Sequence, residues 1–139
     1  MNDCIFCKIV KGEIPSPNKI YEDREVLGLL DIEPVNKGHV IVIPKKHSED
    51  ILHTDDELLK YTILVVKKLA KTIQKAVKAS GVNININNGK DAGQVIFHPH
   101  IHIIPRFAND DLKLWKGKRY NEGEMEELTD KIKTCTLTT

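Results

Sequence analysis

The sequence predicts an α+β fold, an antiparallel sheet of about five strands with one long helix on one face. Three observations predict it. Residues 54–81 carry apolar side chains at the three-to-four spacing of a helix. Residues 82–87 alternate strictly between apolar residues and asparagine, the period of a half-buried strand. Short apolar runs cut by glycine and proline lie on both sides of the helix. With 139 residues the chain has the length of one domain, ending in a less legible C-terminal extension.

The elements follow in order. Residues 1–53 are short apolar pieces, and Pro34, Gly38 and Pro44 punctuate two strand-like runs at 26–30 and 39–43. The pattern takes one more strand in this region, at no particular residues. Thr54 with Glu57 reads as a capping box at the start of the long helix. Leu58, Thr62, Val65, Val66, Leu69, Ile73 and Val77 form its inner stripe, and Gly81 its stop. Residues 88–93 form a glycine-bearing loop, and 95–104 read as a last strand ended by Pro105. In the extension, residues 124–133 read as a short helix and 134–139 as a frayed end. Trp115 and Tyr120 are expected to pack on the body or on a second subunit.

Composition excludes more than it identifies. Lys plus Arg total 21 against 20 for Asp plus Glu, so nothing in the charge attracts a nucleic acid or an anionic membrane. No apolar run approaches the roughly 20 residues that span a bilayer, and the first residues lack the pattern of a secretory signal. Three cysteines make no disulfide framework. The expectation is a soluble, cytoplasmic protein.

The chemistry concentrates in histidines. Three of six stand at 98, 100 and 102, which on a strand would share one face, while Ile101 and Ile103 serve the core. A solvated histidine-rich strand and a three-histidine metal site are the plain alternatives, although a straight row converges poorly on one tetrahedral ion. A catalytic reading accounts for more. Neutral imidazole is a nucleophile toward phosphorus, and a second imidazole can orient it or handle a proton.

Residues 93–105, GQVIFHPHIHIIP, resemble the histidine-triad (HIT) motif. Cys4 to Ile9, Leu30-Asp31-Ile32, Gly38 to His47 and Asn87 to Gly93 resemble further blocks of the family's Hint branch, so the resemblance implies a core at about 4–106 and a subunit-contacting extension at 107–139. The resemblance implies a nucleotide-binding α+β fold with a short N-terminal helix, paired as a homodimer whose sheet continues across both subunits. It implies hydrolysis at the α-phosphorus of nucleoside phosphoramidates or related conjugates of a purine nucleotide, with dinucleoside polyphosphate hydrolysis or plain nucleotide binding as alternatives. His100 matches the nucleophile that becomes transiently nucleotidylated, His102 the residue on the leaving-group side, His98 the first triad position and His39 a supporting fourth histidine. Asp31 matches the carboxylate on the ribose hydroxyls. Phe6, Ile9, Leu30 and Ile32 match the slot around the base, and Asn87, Gly93 and Gln94 the surroundings of the phosphate. Each also has a plainer role: Asp31 as a turn residue, the apolar set as core, Asn87 as a turn cap. Val95 departs from the pattern, since many Hint-branch members carry Ser or Thr there. His-Pro-His also resembles the family's nucleotidyltransferases, but these usually carry glutamine where this chain has His102.

Cys4 and Cys7 form a CxxC pair, which reads as zinc, redox or chance. His47 and His98 are candidate further ligands, and bacterial-type HIT proteins resemble this arrangement. The set Cys4, Cys7, His47 and His98 would make a closed structural zinc site. Cys135 and His53 stand apart as an incidental thiol and an exposed ring.

Overall fold

The computed structural model of the chain describes residues 3–135. Helix α1 spans Ile5–Val10, and strands β1, β2 and β3 span Lys19–Glu22, Val26–Leu30 and Val40–Pro44. Helix α2 spans Asp56–Val77, strands β4 and β5 span Gly81–Asn85 and Ile101–Arg106, and helix α3 spans Glu124–Thr134. The five strands form one sheet in the order β1-β2-β3-β5-β4, antiparallel at every step. This is the predicted α+β arrangement, with the strand missing from the sequence reading supplied by β1.

Alternation along β3 sorts the core into two layers. Val40 and Val42 pair with Ile103 and Ile101 and face α2, whose Val65, Val66, Leu69 and Ile73 close over them. Ile41 pairs with His102 and points the other way, toward Phe6, Leu27, Leu29 and Ile43. The sheet is thus covered by α2 on one face and by α1 on part of the other. The rest of that second face carries the histidines.

Several boundaries differ from the sequence reading. The cap of α2 is Asp55, whose carboxylate accepts the Leu58 N–H at 3.2 Å, while the Thr54 hydroxyl donates to the Asp50 carbonyl at 2.8 Å. A carboxylate beside the helix's positive end outcompetes a hydroxyl for this role. The helix stops at Lys78 in the left-handed conformation, φ 57°, and Gly81 opens β4 instead. Strand β5 starts at Ile101, not 95, because Pro99 has no N–H for the ladder and the His98 N–H turns back to the Ile96 carbonyl. Pro105 does not end it: Pro105 pairs with Val82 inside the strand. Thr134 is the last residue of α3, and 136–139, the rest of the expected frayed end, lie outside the described residues. Trp115 is 96% exposed and so does not bury itself on the body.

Gly38 has φ +88°, and a β-carbon there would sit 3.0 Å from Val77 Cγ1 and 3.2 Å from Pro105 Cγ. Only glycine lets the chain cross this point and deliver His39 into the sheet.

Candidate active site and metal centre

Backbone contacts fix the protonation of each histidine, and with it the role each can play. His100 Nδ1 lies 2.8 Å from the His98 carbonyl oxygen, which can only accept. Nδ1 therefore carries the hydrogen, and Nε2 is left with a free lone pair. His39 is the reverse. Its Nδ1 accepts the Val35 N–H at 3.1 Å, so Nε2 carries the hydrogen and donates to His102 Nδ1 at 2.9 Å. That donation leaves His102 with its hydrogen on Nε2. One ring thus offers a lone pair and its neighbour an N–H, with ring centroids 5.0 Å apart.

Burial keeps these rings neutral. It lowers the affinity of His39, His98 and His100 for a proton, and nearby charged Asp31 only partly offsets this at His39 and His100. His102 is pushed down to about 4 by burial and by the His100 and His39 rings beside it. The linkage has a definite sign. In the unfolded chain a histidine takes up its proton near pH 6.5, whereas folded His102 resists until about 4. Stability should be complete above pH 6.5 and decline as pH falls toward 4. His102 alone should contribute on the order of 2 kcal/mol to that decline, after allowing for its partial exposure. Urea midpoints at pH 7 and 4.5 check this, and His102→Asn should flatten the slope.

Asp31 stands at the end of β2. Its Oδ1 accepts the Glu33 N–H at 2.9 Å, and its Oδ2 lies 3.5 Å from His39 Nε2. It is therefore a turn residue and a site carboxylate at once. Beside it Leu30 and Ile32 stay in water, Ile32 at 86% exposure. Phe6 is buried and sets its ring at a steep angle to His100, centroids 5.1 Å apart. Ile9 packs against the same cluster. Asn87 lies beside Gly93, whose β-carbon would approach the Asn87 amide at 3.6 Å. Gln94 is buried, and its amide is occupied. It accepts the Gly89 N–H at 2.8 Å and donates to the Glu49 and Ile96 carbonyls. It thus braces the 88–93 loop. Val95 is 85% exposed.

The His98 ring faces away from this site. Its Nε2 lies 2.7 Å from the Pro44 carbonyl and must donate, so Nδ1 is bare. That atom lies 3.4 Å from Cys4 Sγ, 3.5 Å from Cys7 Sγ and 3.1 Å from His47 Nδ1, and Cys7 Sγ is 3.3 Å from His47 Nδ1. Zn–N and Zn–S bonds put tetrahedral neighbours roughly 3.3–3.8 Å apart, so four donors already stand near the edges of such a tetrahedron. Burial, with the adjoining Cys4 thiol, pushes the Cys7 thiol up, and a dication that neutralised both sulfurs would relieve that cost. The Cys7 N–H also points to Cys4 Sγ at 3.5 Å. The residues fit a metal.

Asp31, His39 and His102 also converge closely enough for an ion. There the Val35 N–H decides otherwise, because it obliges His39 Nε2 to be a donor. That trio is a hydrogen-bond relay.

Thus His39, His100, His102, Asp31 and Phe6 come together on one side, and Cys4, Cys7, His47 and His98 on the other. His98 belongs to both through two different groups, its ring and its carbonyl. The Pro44 carbonyl and the Val35 N–H, which set the tautomers, escaped the sequence reading because backbone groups have no sequence signature. A groove of about 520 Å³ is lined by Asn85, Asn87, Ile104, Arg106 and Trp115 among others, and by none of the histidines. Asn85 is the registered partner of His102 and shares its face.

Residues 11–109 match the model of the HIT domain. The chain belongs to the HIT family. It is similar to Protein hit of Bacillus subtilis, 50% identical over 134 residues that cover 94% of this chain and 92% of the relative. It is also similar to Adenylylsulfatase HINT3 of Arabidopsis thaliana, 38% identical over 134 residues that cover 96% of this chain and 68% of the relative. Among solved structures, SMU.412c from Streptococcus mutans has a TM-score of 0.90 at 42% identity, covering 96% of this chain and 85% of that one. A Zn-bound histidine triad family protein from Mycobacterium smegmatis has a TM-score of 0.76 at 35% identity, covering 97% and 99%. No helix among the described residues is long and apolar enough to cross a membrane.

Proposed function

We propose that this HIT protein hydrolyses purine nucleoside phosphoramidates or related nucleotide conjugates at the α-phosphorus, through a nucleotidyl-histidine on His100. The observation that carries the reading is the pair of opposed tautomers. His100 Nε2 holds a lone pair because the ring's hydrogen sits on Nδ1, which donates it to the His98 carbonyl. The lone pair attacks phosphorus, and the bond from phosphorus to the conjugated group breaks. His102 Nε2–H stands next to the departing atom and donates a hydrogen bond to it; an amine leaves with that proton, which a solvent proton replaces on His102, whereas a sulfate leaves without one. Water then cleaves the phosphorus–His100 bond and releases the monophosphate. Asp31 accepts the ribose hydroxyls, while Leu30, Ile32, Ile9 and Phe6 receive the base. Asn87 and Gly93 lie against the phosphate, in a loop that Gln94 braces.

A second leaving group has its own support. His102 is neutral over most of the physiological range, so it is a weak acid. Sulfate departs without a proton, whereas an amine needs one. Adenylylsulfate therefore suits this site as well, in line with the name of the Arabidopsis relative.

Cys4, Cys7, His47 and His98 are proposed to hold one zinc ion, which when bound ties α1 to the catalytic segment and leaves no position open for water. The zinc-bound mycobacterial neighbour supports that choice of ion. The protein is further proposed to act as a homodimer in the cytoplasm. Strand β4 is an outer strand of the sheet, and the 44%-exposed Ile84 on it favours pairing with a second copy.

Intact-mass analysis during turnover of adenosine phosphoramidate and of adenylylsulfate tests the reading. A transient increase of one nucleotidyl group, mapped to His100, is expected with at least one of them. Turnover with no adduct in rapid-quench samples, or an adduct on another residue, overturns the nucleophile assignment.

A further inference from the structure

We infer that the outer face of α2 docks on an anionic lipid surface. The near-balance of charge over the whole chain predicts no such attraction, but that balance is a sum, and α2 departs from it. From Leu58 to Lys78 the chain carries six lysines and no acid. Lys60, Leu64, Lys67, Lys71, Lys75 and Lys78 recur every three, four or seven residues and fall on one stripe. All six are exposed, opposite the side of the helix that buries Val65, Val66, Leu69 and Ile73. The stripe is about 27 Å long at 1.5 Å per residue.

Little within the protein answers this charge. Lys60 meets Glu57 at 2.7 Å, an exposed pair, and Lys68 Nζ lies 5.5 Å from the centre of the Tyr21 ring. Lys67, Lys71, Lys75 and Lys78 form no ion pair among the described residues. Like charges four residues apart, as at 67 and 71 and at 71 and 75, oppose the helix that carries them. An anionic partner removes that repulsion.

The stripe also indicates which anion. Leu64 on it is 62% exposed, and Ile63 beside it 42%. Aliphatic side chains gain from the boundary between head groups and acyl chains, but not from the phosphates of a nucleic acid. Helix α2 has no arginine to clasp a phosphate in a fork, and the stripe has no aromatic ring to stack a base. An acidic protein segment would have to follow a straight, convex ridge, whereas a bilayer is flat and meets its whole length at once. Lysine stems can lie along the lipid boundary while their ammonium groups reach the head-group phosphates. The histidines lie on the other face of the sheet, so their site stays open to solution when α2 is docked. The inference is independent of the hydrolytic reading.

Co-sedimentation of the full chain with vesicles tests it. At about 50 mM salt the protein should bind phosphatidylcholine vesicles containing roughly one-third phosphatidylglycerol, and not phosphatidylcholine alone. Raising the salt to about 300 mM should weaken binding at least tenfold. The triple variant Lys67→Gln, Lys71→Gln, Lys75→Gln should bind about 100-fold more weakly, at about fivefold for each lysine. The control triple Lys113→Gln, Lys116→Gln, Lys118→Gln removes the same charge elsewhere and should change binding less than about threefold. Leu64→Ser should weaken it a few-fold with the salt dependence unchanged. Absence of binding to the anionic vesicles at low salt would overturn the proposal, as would equal losses in the two triple variants. So would tighter binding, at the same salt, to a single-stranded RNA or to polyglutamate, which would make the partner a nucleic acid or an acidic protein.

Discussion

Replacing His100 with alanine is expected to lower turnover of nucleotide conjugates by at least about 10³-fold, the usual scale for losing a covalent nucleophile. The loss should appear in kcat, with the Kd for AMP changed only a few-fold. In the proposed reading binding rests on Asp31, Leu30, Ile32 and Ile9, none of which depends on the His100 ring for its position. Alanine at 100 also removes the edge contact with Phe6, so a stability loss of about 1–2 kcal/mol should accompany the change. Measuring kcat, AMP affinity and the urea midpoint together separates these effects. His102→Ala should behave differently. Its defect should be large with an amine leaving group and smaller with sulfate, because only the amine needs a proton. If His100→Ala turned over either conjugate at a near-normal rate, the lone pair on Nε2 would have another purpose and the covalent route would fall.

Much of the fold was legible because it follows from periodicity. The α2 stripe, from Leu58 to Ile73, is buried much as its spacing predicts, and the 82–87 alternation locates β4 to within two residues. What escaped was local competition. Asp55 displaces Thr54 as the cap, and Pro99 shortens β5, so His98 and His100 leave the strand on which spacing would place them. Simple alternation predicts three imidazoles in a row. In the structure two rings share the open site and the third turns to the cysteines. Strand β1 went unlocated because Lys19-Ile20-Tyr21-Glu22 is four residues long and mostly exposed, with too few apolar positions to show a period. The cluster of Cys4, Cys7, His47 and His98 was legible whole, since CxxC is a short-range signal and the two histidines offered themselves as further ligands, although they lie 51 residues apart and meet only through the β3–β5 pairing. The tautomers had no trace in the sequence at all.

Removing Cys7, proposed to hold the metal, should have the second large effect. Cys7→Ala is expected to reduce zinc from about one per chain to none, and to lower the Tm by roughly 10 °C or more, at about 3 °C per kcal/mol for a chain of this size. The reason lies in what remains. His47 Nδ1 and His98 Nδ1 face each other at 3.1 Å, and the Pro44 carbonyl holds the hydrogen of His98 on its far nitrogen. Two lone pairs then repel unless His47 carries its hydrogen on Nδ1, so the cluster must rearrange or the segment must move. Movement reaches the active site, since the His98 carbonyl is what keeps His100 in its nucleophilic tautomer. Activity should therefore fall as well, even well below the Tm, but by far less than in His100→Ala, because no group that touches the phosphorus is lost. Treating the native protein with a chelator should reproduce both changes, and restored zinc should reverse them. If metal loss left Tm and kcat unchanged, Cys4 and Cys7 would be two small buried thiols and nothing more. If it abolished turnover at once while the Tm held, the ion would have to act on substrate directly, which a closed four-ligand site forbids.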